Sequence, residues 1–85
     1  TLDKWHEIIT KIQDVATKET RLKIPVIYGI DAIHGVTFTQ NSTLFPQNIG
    51  LGASRNVELV AKAEGITAME TRASGIRWNF DPVVD

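Results

Sequence analysis

The chain has no cysteine among its 85 residues. That excludes a disulfide framework and a thiolate metal site, and it leaves the redox compartment open. Histidine is nearly as scarce, with two residues, too few on their own to hold a metal ion. No apolar run approaches the ~20 residues of a membrane-spanning helix. Neither sign of charge dominates. Nine Lys and Arg stand against ten Asp and Glu, interspersed, for a net charge of −1. A nucleic-acid stripe, a polybasic membrane patch and an acidic tail are therefore all missing, and neither nucleic acid nor a membrane is an expected partner. No signal-peptide pattern opens the chain, and Thr1 is not a natural start residue, so a cut or processed N-terminus is expected.

What is present is ordinary in amount, with 42% apolar and 22% charged residues, and unusual in arrangement. The stretch from Ile24 to Gly35 runs apolar through Val26 and Ile27. It then meets Gly29, Asp31 and the pair His34-Gly35. A continuous apolar run between helical patterns predicts a buried parallel strand over 25–30, with Pro25 at its start. Asp31 then falls at the strand's carboxyl end. That is where ligands sit in open α/β sheets and α/β barrels. A carboxylate there is rarely wanted for packing, because burying it without partners is costly.

The flanking segments complete an α/β pattern. Trp5, Ile8, Ile9, Ile12, Val15 and Ala16 form one apolar stripe, which predicts a helix over 3–20. His6 lies beside the stripe as a surface or boundary residue. Thr20 to Lys23 is a polar connection. Residues 32–44 show no helical period and read as a long polar loop at the active-site end of the first strand. Asn41-Ser42-Thr43 within it matches the N-glycosylation pattern. Asn48 to Gly52 reads as a short glycine-rich second strand, with no helix signal between it and the first. Either the first crossover helix is missing, or this strand runs antiparallel. Asn56 is a suitable N-cap for a helix over 56–74, with Glu58 complementing its dipole. Gly65 in mid-helix points to close packing on the sheet, and Gly75 to a left-handed C′ residue. A third strand is predicted over 77–81.

Alternative site chemistries are weak. Gly50-x-Gly52 before a helix suggests a dinucleotide loop, but Arg55 stands where a third glycine is needed and no ribose-binding acid follows. Asp31-x-x-His34 offers only two metal ligands. His34 is better read as fixing the loop by a hydrogen bond near Asp31. No serine sits in a strained nucleophile turn. Asp81 and Asp85, near another strand end, read as turn or salt-bridge residues.

Three blocks, in order, carry a resemblance. They are IPVIYGIDAIHG (24–35), LFPQNIGLGASRNVELV (44–60) and ETRASGIRWNFDPVVD (70–85). Together they resemble the N-terminal part of the barrel domain of glycoside hydrolase family 3, over about residues 5–85. The family includes β-glucosidases, exo-β-glucanases and β-xylosidases. The resemblance implies an α/β fold: a fragment of a TIM-type (β/α)₈ barrel holding only its first strands and helices. A complete barrel takes about 250 residues. The rest of the barrel and a second domain are then expected partners from the parent chain, and a β-glucoside or oligosaccharide the expected substrate. No cofactor is expected.

The resemblance also assigns roles. Retaining glycosidases need two carboxyl groups about 5–5.5 Å apart. By resemblance the nucleophile lies on a later strand and the general acid later still, so no catalytic residue is expected in this chain, and the segment alone is expected to be inactive. Asp31 matches the aspartate that binds the terminal sugar in the −1 subsite. A β-xylosidase of the same family and a non-catalytic sugar-binding module are the competing readings. Periplasmic location or secretion is the family's usual habit.

Overall fold

A computed structural model describes residues 1–83. In chain order it holds α1 (Leu2–Asp14), a π-helical turn (Val15–Glu19), β1 (Gly29–Ile30), α2 (Asn48–Ala53), α3 (Val57–Ala73) and β2 (Trp78–Asn79).

The two long helices lie where the apolar periodicity predicts them. The hydroxyl oxygen of Thr1 caps α1 by accepting from the Lys4 N–H at 3.2 Å. The helix thus begins one residue before the predicted range of 3–20. The stripe buries Ile9 and Ala16, while Lys4, Glu7 and Lys11 make i, i+3 and i, i+4 ion pairs on the opposite face. Near its end the helix loosens into the π turn. The Thr17 hydroxyl donates to the Gln13 carbonyl at 2.7 Å, and Thr20 bonds Ala16 in the same way. Such back-bonding competes with the regular ladder. Asn56 caps α3 as predicted, its Oδ1 accepting from the Leu59 N–H at 3.1 Å. Gly75, at φ +89°, closes α3 in a Schellman motif: its N–H donates to Arg72 and that of Ile76 to Thr71.

β1 and β2 pair in parallel, Gly29 opposite Trp78 and Ile30 opposite Asn79. A parallel pair with a helix in its crossover is the unit from which α/β barrels are built. Gly29 gives the exposed Phe80 ring room to lie over the strand. A Cβ on it would stand 2.6 Å from the ring of Phe80. Ile76, wholly buried, and Ile9 pack where α1, α3 and the lead-in to β2 meet.

Three expectations are corrected. Residues 48–52 form α2, a short helix, and not a strand. Gln47 provides its first acceptor, receiving the Gly50 and Leu51 N–H groups at 2.8 and 3.0 Å. Two glycines in six residues leave too few side chains to cover a strand face, and Ile49 is 85% exposed. The possible antiparallel second strand disappears with it. The first and third strands are also shorter than predicted, two residues each. Strand character needs a neighbour, and residues 24–28 have no strand beside them. Instead the Gln13 carboxamide takes a neighbour's part: its Oε1 accepts from the Val26 N–H at 3.0 Å, and its Nε2 donates to the Val26 carbonyl. Third, Gly65 does not serve close packing, because a Cβ there meets nothing within 4 Å.

The radius of gyration is 15.0 Å, against about 12 Å for a compact domain of this length. Ile27 is 72% exposed, and Trp78 and Phe80 are also exposed. Parallel sheets are normally covered on both faces, and these apolar side chains on and beside the strand pair stand uncovered. Among the described residues, no helix is long and apolar enough to cross a membrane.

Candidate functional site

The site is assembled at the carboxyl ends of β1 and β2. Asp31 follows β1 directly. Its side chain is exposed, and among the described residues its carboxylate makes no hydrogen bond or ion pair. Its backbone, by contrast, is held on both sides. The Phe80 N–H donates to the Ile30 carbonyl at 2.8 Å. The Ala32 N–H donates to the Asn79 side-chain oxygen at 3.0 Å. Ala32 is buried, so the turn after Asp31 is anchored in the interior while the carboxylate faces outward.

The loop over 32–44 is non-helical, as predicted, and it is better ordered than its polar composition suggests. Gly35, at φ +90°, lets the chain double back against Leu44, and the Phe45 N–H reaches the His34 carbonyl at 2.9 Å. Val36 is wholly buried. The Trp5 indole N–H donates to the Phe38 carbonyl at 3.3 Å, and the two rings meet edge to face at 5.0 Å. From α3, the Glu70 carboxylate accepts from both the N–H and the hydroxyl of Thr43, at 2.9–3.1 Å. Both long helices therefore pin the loop that begins at Asp31. His34 contributes through its backbone. It fixes the loop by its carbonyl, and its imidazole makes no hydrogen bond among the described residues. Asn41 of the glycosylation triplet is exposed, in a left-handed turn at φ 67°.

Asp81, expected as a turn or salt-bridge residue, takes part in a local turn and makes no salt bridge among the described residues. Its Oδ1 accepts from the Asn48 side chain at 3.2 Å, and its N–H donates to Asn79 Oδ1, also at 3.2 Å. Its Oδ2 is buried without a donor. Asp85 lies outside the described residues. Beside Asp81, an open cleft of about 330 Å³ is lined by Glu64, Arg72, Arg77 and Asn79 among others. Burial pushes the Glu64 carboxyl above its usual range, and the charge of Asp81 and a hydrogen bond to it push the same way. A protonated Glu64 would add a donor to the Asp81 carboxylate, whose Oδ1 already accepts from Asn48.

That arrangement has a testable consequence. A carboxyl whose pKa is raised by folding contributes fully below its unfolded value and loses that contribution as pH rises through its folded value. Glu64→Gln removes the charge and keeps a donor. In the parent protein it should raise the melting temperature at about pH 7.5, and the gain should vanish below the usual glutamate range, near about pH 4. The same difference at both pH values would contradict an upward shift of the Glu64 carboxyl.

The glycine-loop alternative is also settled. Gly50 and Gly52 lie inside α2, and Ser54-Arg55 forms the turn before α3. A Cβ on Gly52 would meet nothing within 4 Å, and one on Gly50 only Pro46 at 3.4 Å. Among the described residues, no group of three or more metal-ligating side chains comes together. Sequence reading singled out Asp31 and assigned no part to the side chains of Asn79, Asn48 and Glu64. The block 70–85 that carried the resemblance contains Asn79, but only the fold shows that it faces Ala32.

What remains is a parallel strand pair joined through helices, with an exposed carboxylate just past the end of β1 that makes no hydrogen bond or ion pair among the described residues. Comparison with known proteins makes this specific. Residues 2–85 match the Glycosyl hydrolase family 3 N terminal domain. The sequence is 42% identical over 80 residues to the "Lysosomal beta glucosidase" of Dictyostelium discoideum, covering 94% of this chain and 10% of that protein. It is 32% identical over 77 residues to the "Periplasmic beta-glucosidase" of Salmonella typhimurium, covering 91% and 9%. It is 33% identical over 89 residues to the "Beta-xylosidase" of Formosa agariphila, covering 100% and 12%. No solved structure matches. The chain belongs to glycosyl hydrolase family 3, and it spans about a tenth of the length of these curated relatives.

Proposed function

We propose that this chain is the first part of the barrel domain of a retaining, exo-acting β-glycosidase, β-glucosidase-like, which removes terminal non-reducing β-D-glucosyl residues in carbohydrate catabolism. Its own contribution is Asp31, which accepts hydrogen bonds from the terminal sugar's hydroxyls in the −1 subsite. The nucleophile and the general acid come from the remainder of the barrel and a second domain. The observation that carries this reading is an exposed carboxylate, without a hydrogen bond or ion pair among the described residues, on a strand end whose backbone is fixed on both sides. An ionised carboxylate only accepts hydrogen bonds, which suits a ring of sugar hydroxyls. A β-xylosidase is the second reading, supported by the Formosa agariphila relative. Location in the periplasm or outside the cell belongs to the same proposal.

The test is hydrolysis of aryl β-D-glucoside and β-D-xyloside by the parent protein, with the anomer of the first-released sugar read by NMR. Release of the β-anomer, faster from the glucoside, is the expected result. Faster xyloside cleavage favours the second reading, and an α-anomer would contradict retention. The 85-residue segment alone should hydrolyse neither substrate.

A further inference from the structure

We propose that Asn79 is a positioning residue for Asp31, acting through the backbone of the turn that carries it. The inference rests on the substrate-binding reading of Asp31.

The strand ladder supplies the reason. In a regular parallel pair the slanted bonds would continue one step past Ile30, and the Ala32 N–H would find a backbone carbonyl on the neighbouring strand. Here the ladder stops after the bond from Phe80 to Ile30. The Asn79 side chain takes the next place, with Oδ1 at 3.0 Å from the Ala32 nitrogen. The same oxygen accepts from the Asp81 N–H at 3.2 Å. One carboxamide oxygen thus ties together the two strand-end turns, each beginning one or two residues beyond its strand.

The consequence falls on Asp31. The residue before it is held by Phe80 and the residue after it by Asn79. Its own carboxylate makes no bond among the described residues that would fix its direction, so the backbone sets where it points. Without the Asn79 oxygen, the Ala32 N–H and the Asp81 N–H both lose their acceptor, Ala32 N–H in a largely buried setting where that is costly. The turn then rotates to find another partner and carries Asp31 with it. Sub-ångström misplacement of a substrate-holding group is enough to slow a reaction well beyond its effect on folding.

The experiment is a double-mutant cycle in the full-length parent enzyme, on the aryl β-glucoside or β-xyloside that it hydrolyses. Asn79→Ala, Asp31→Asn and the double variant are compared with the parent, with melting temperature as the fold control. Asn79→Ala should lose about tenfold in kcat/KM, partly in kcat. In the Asp31→Asn background the same change should cost less than about twofold, because the residue it positions no longer works. Asn79→Asp, which keeps an acceptor oxygen in place, should recover most of the loss. Losses that multiply across the cycle, or an Asn79→Ala enzyme as active as the parent, would overturn the inference while leaving the Asp31 reading standing. An Asp31→Asn enzyme as active as the parent would overturn both.

Discussion

Asp31→Asn in the parent enzyme is expected to lower kcat/KM on an aryl β-glucoside by about 30- to 150-fold. The substitution keeps the shape of the side chain. It removes the charge and turns one acceptor into a donor. A charge-assisted hydrogen bond to a sugar hydroxyl is worth roughly 1.5–3 kcal/mol, and loss of two such bonds should cost at least ~2–3 kcal/mol. Hydroxyl contacts in glycosidases tighten in the transition state, so part of the loss should fall on kcat. The fold gives a reason to expect little change in stability. The Asp31 carboxylate is exposed and bonds nothing among the described residues, so nothing in the chain's own packing depends on it. Activity within about threefold of the parent would reject a substrate role. A fall in melting temperature that tracks the activity loss would assign Asp31 a structural role instead.

Gly35→Ala should damage stability far more. A Cβ on Gly35 would stand 2.2 Å from the Thr43 carbonyl oxygen, and the residue's φ is +90°. The clash is with backbone, so no side chain can rotate away. Relief requires moving residues 43–45, which breaks the bond from Phe45 to His34 and pulls Thr43 from Glu70. A non-glycine residue in such a conformation costs roughly 1–3 kcal/mol, and the forced shift adds to that. The combined loss should be about 2–4 kcal/mol, read as earlier opening of residues 36–44 in hydrogen exchange on the parent. Gly65→Ala is the matched control. A Cβ there meets nothing within 4 Å, and alanine in mid-helix should be neutral or stabilise by up to ~1 kcal/mol. Equal effects of the two substitutions would contradict the account of the loop.

How far the sequence reached depended on how local each signal was. The stripe from Trp5 to Ala16 and the cap at Asn56 are written within a few residues, and both helices formed where they were expected. The left-handed Gly75 is equally local. Asn48 to Ala53 misled because isoleucine, leucine and glycine fit a short strand or a short helix alike, and length could not arbitrate. What decided it was Gln47, whose carbonyl starts the helical bonds. The length of β1 was illegible for another reason. Its apolar run promised six residues, yet strand pairing extends only as far as β2 lies alongside. Asp31 could be singled out from sequence because a carboxylate at the end of an apolar run is a local contradiction. Asn79 could not, because its partner Ala32 lies 47 residues away. The cleft that pairs Glu64 with Asp81 is non-local in the same way.

The central claim is that Asp31 holds the terminal sugar. It is tested most directly by a crystal structure of the parent enzyme with glucose bound. The account predicts Asp31 carboxylate oxygens within about 2.5–3.0 Å of hydroxyls of the bound sugar, with Asn79 still bonded to the Ala32 N–H. A sugar seated elsewhere, with Asp31 turned instead onto an arginine of the later barrel, would contradict it.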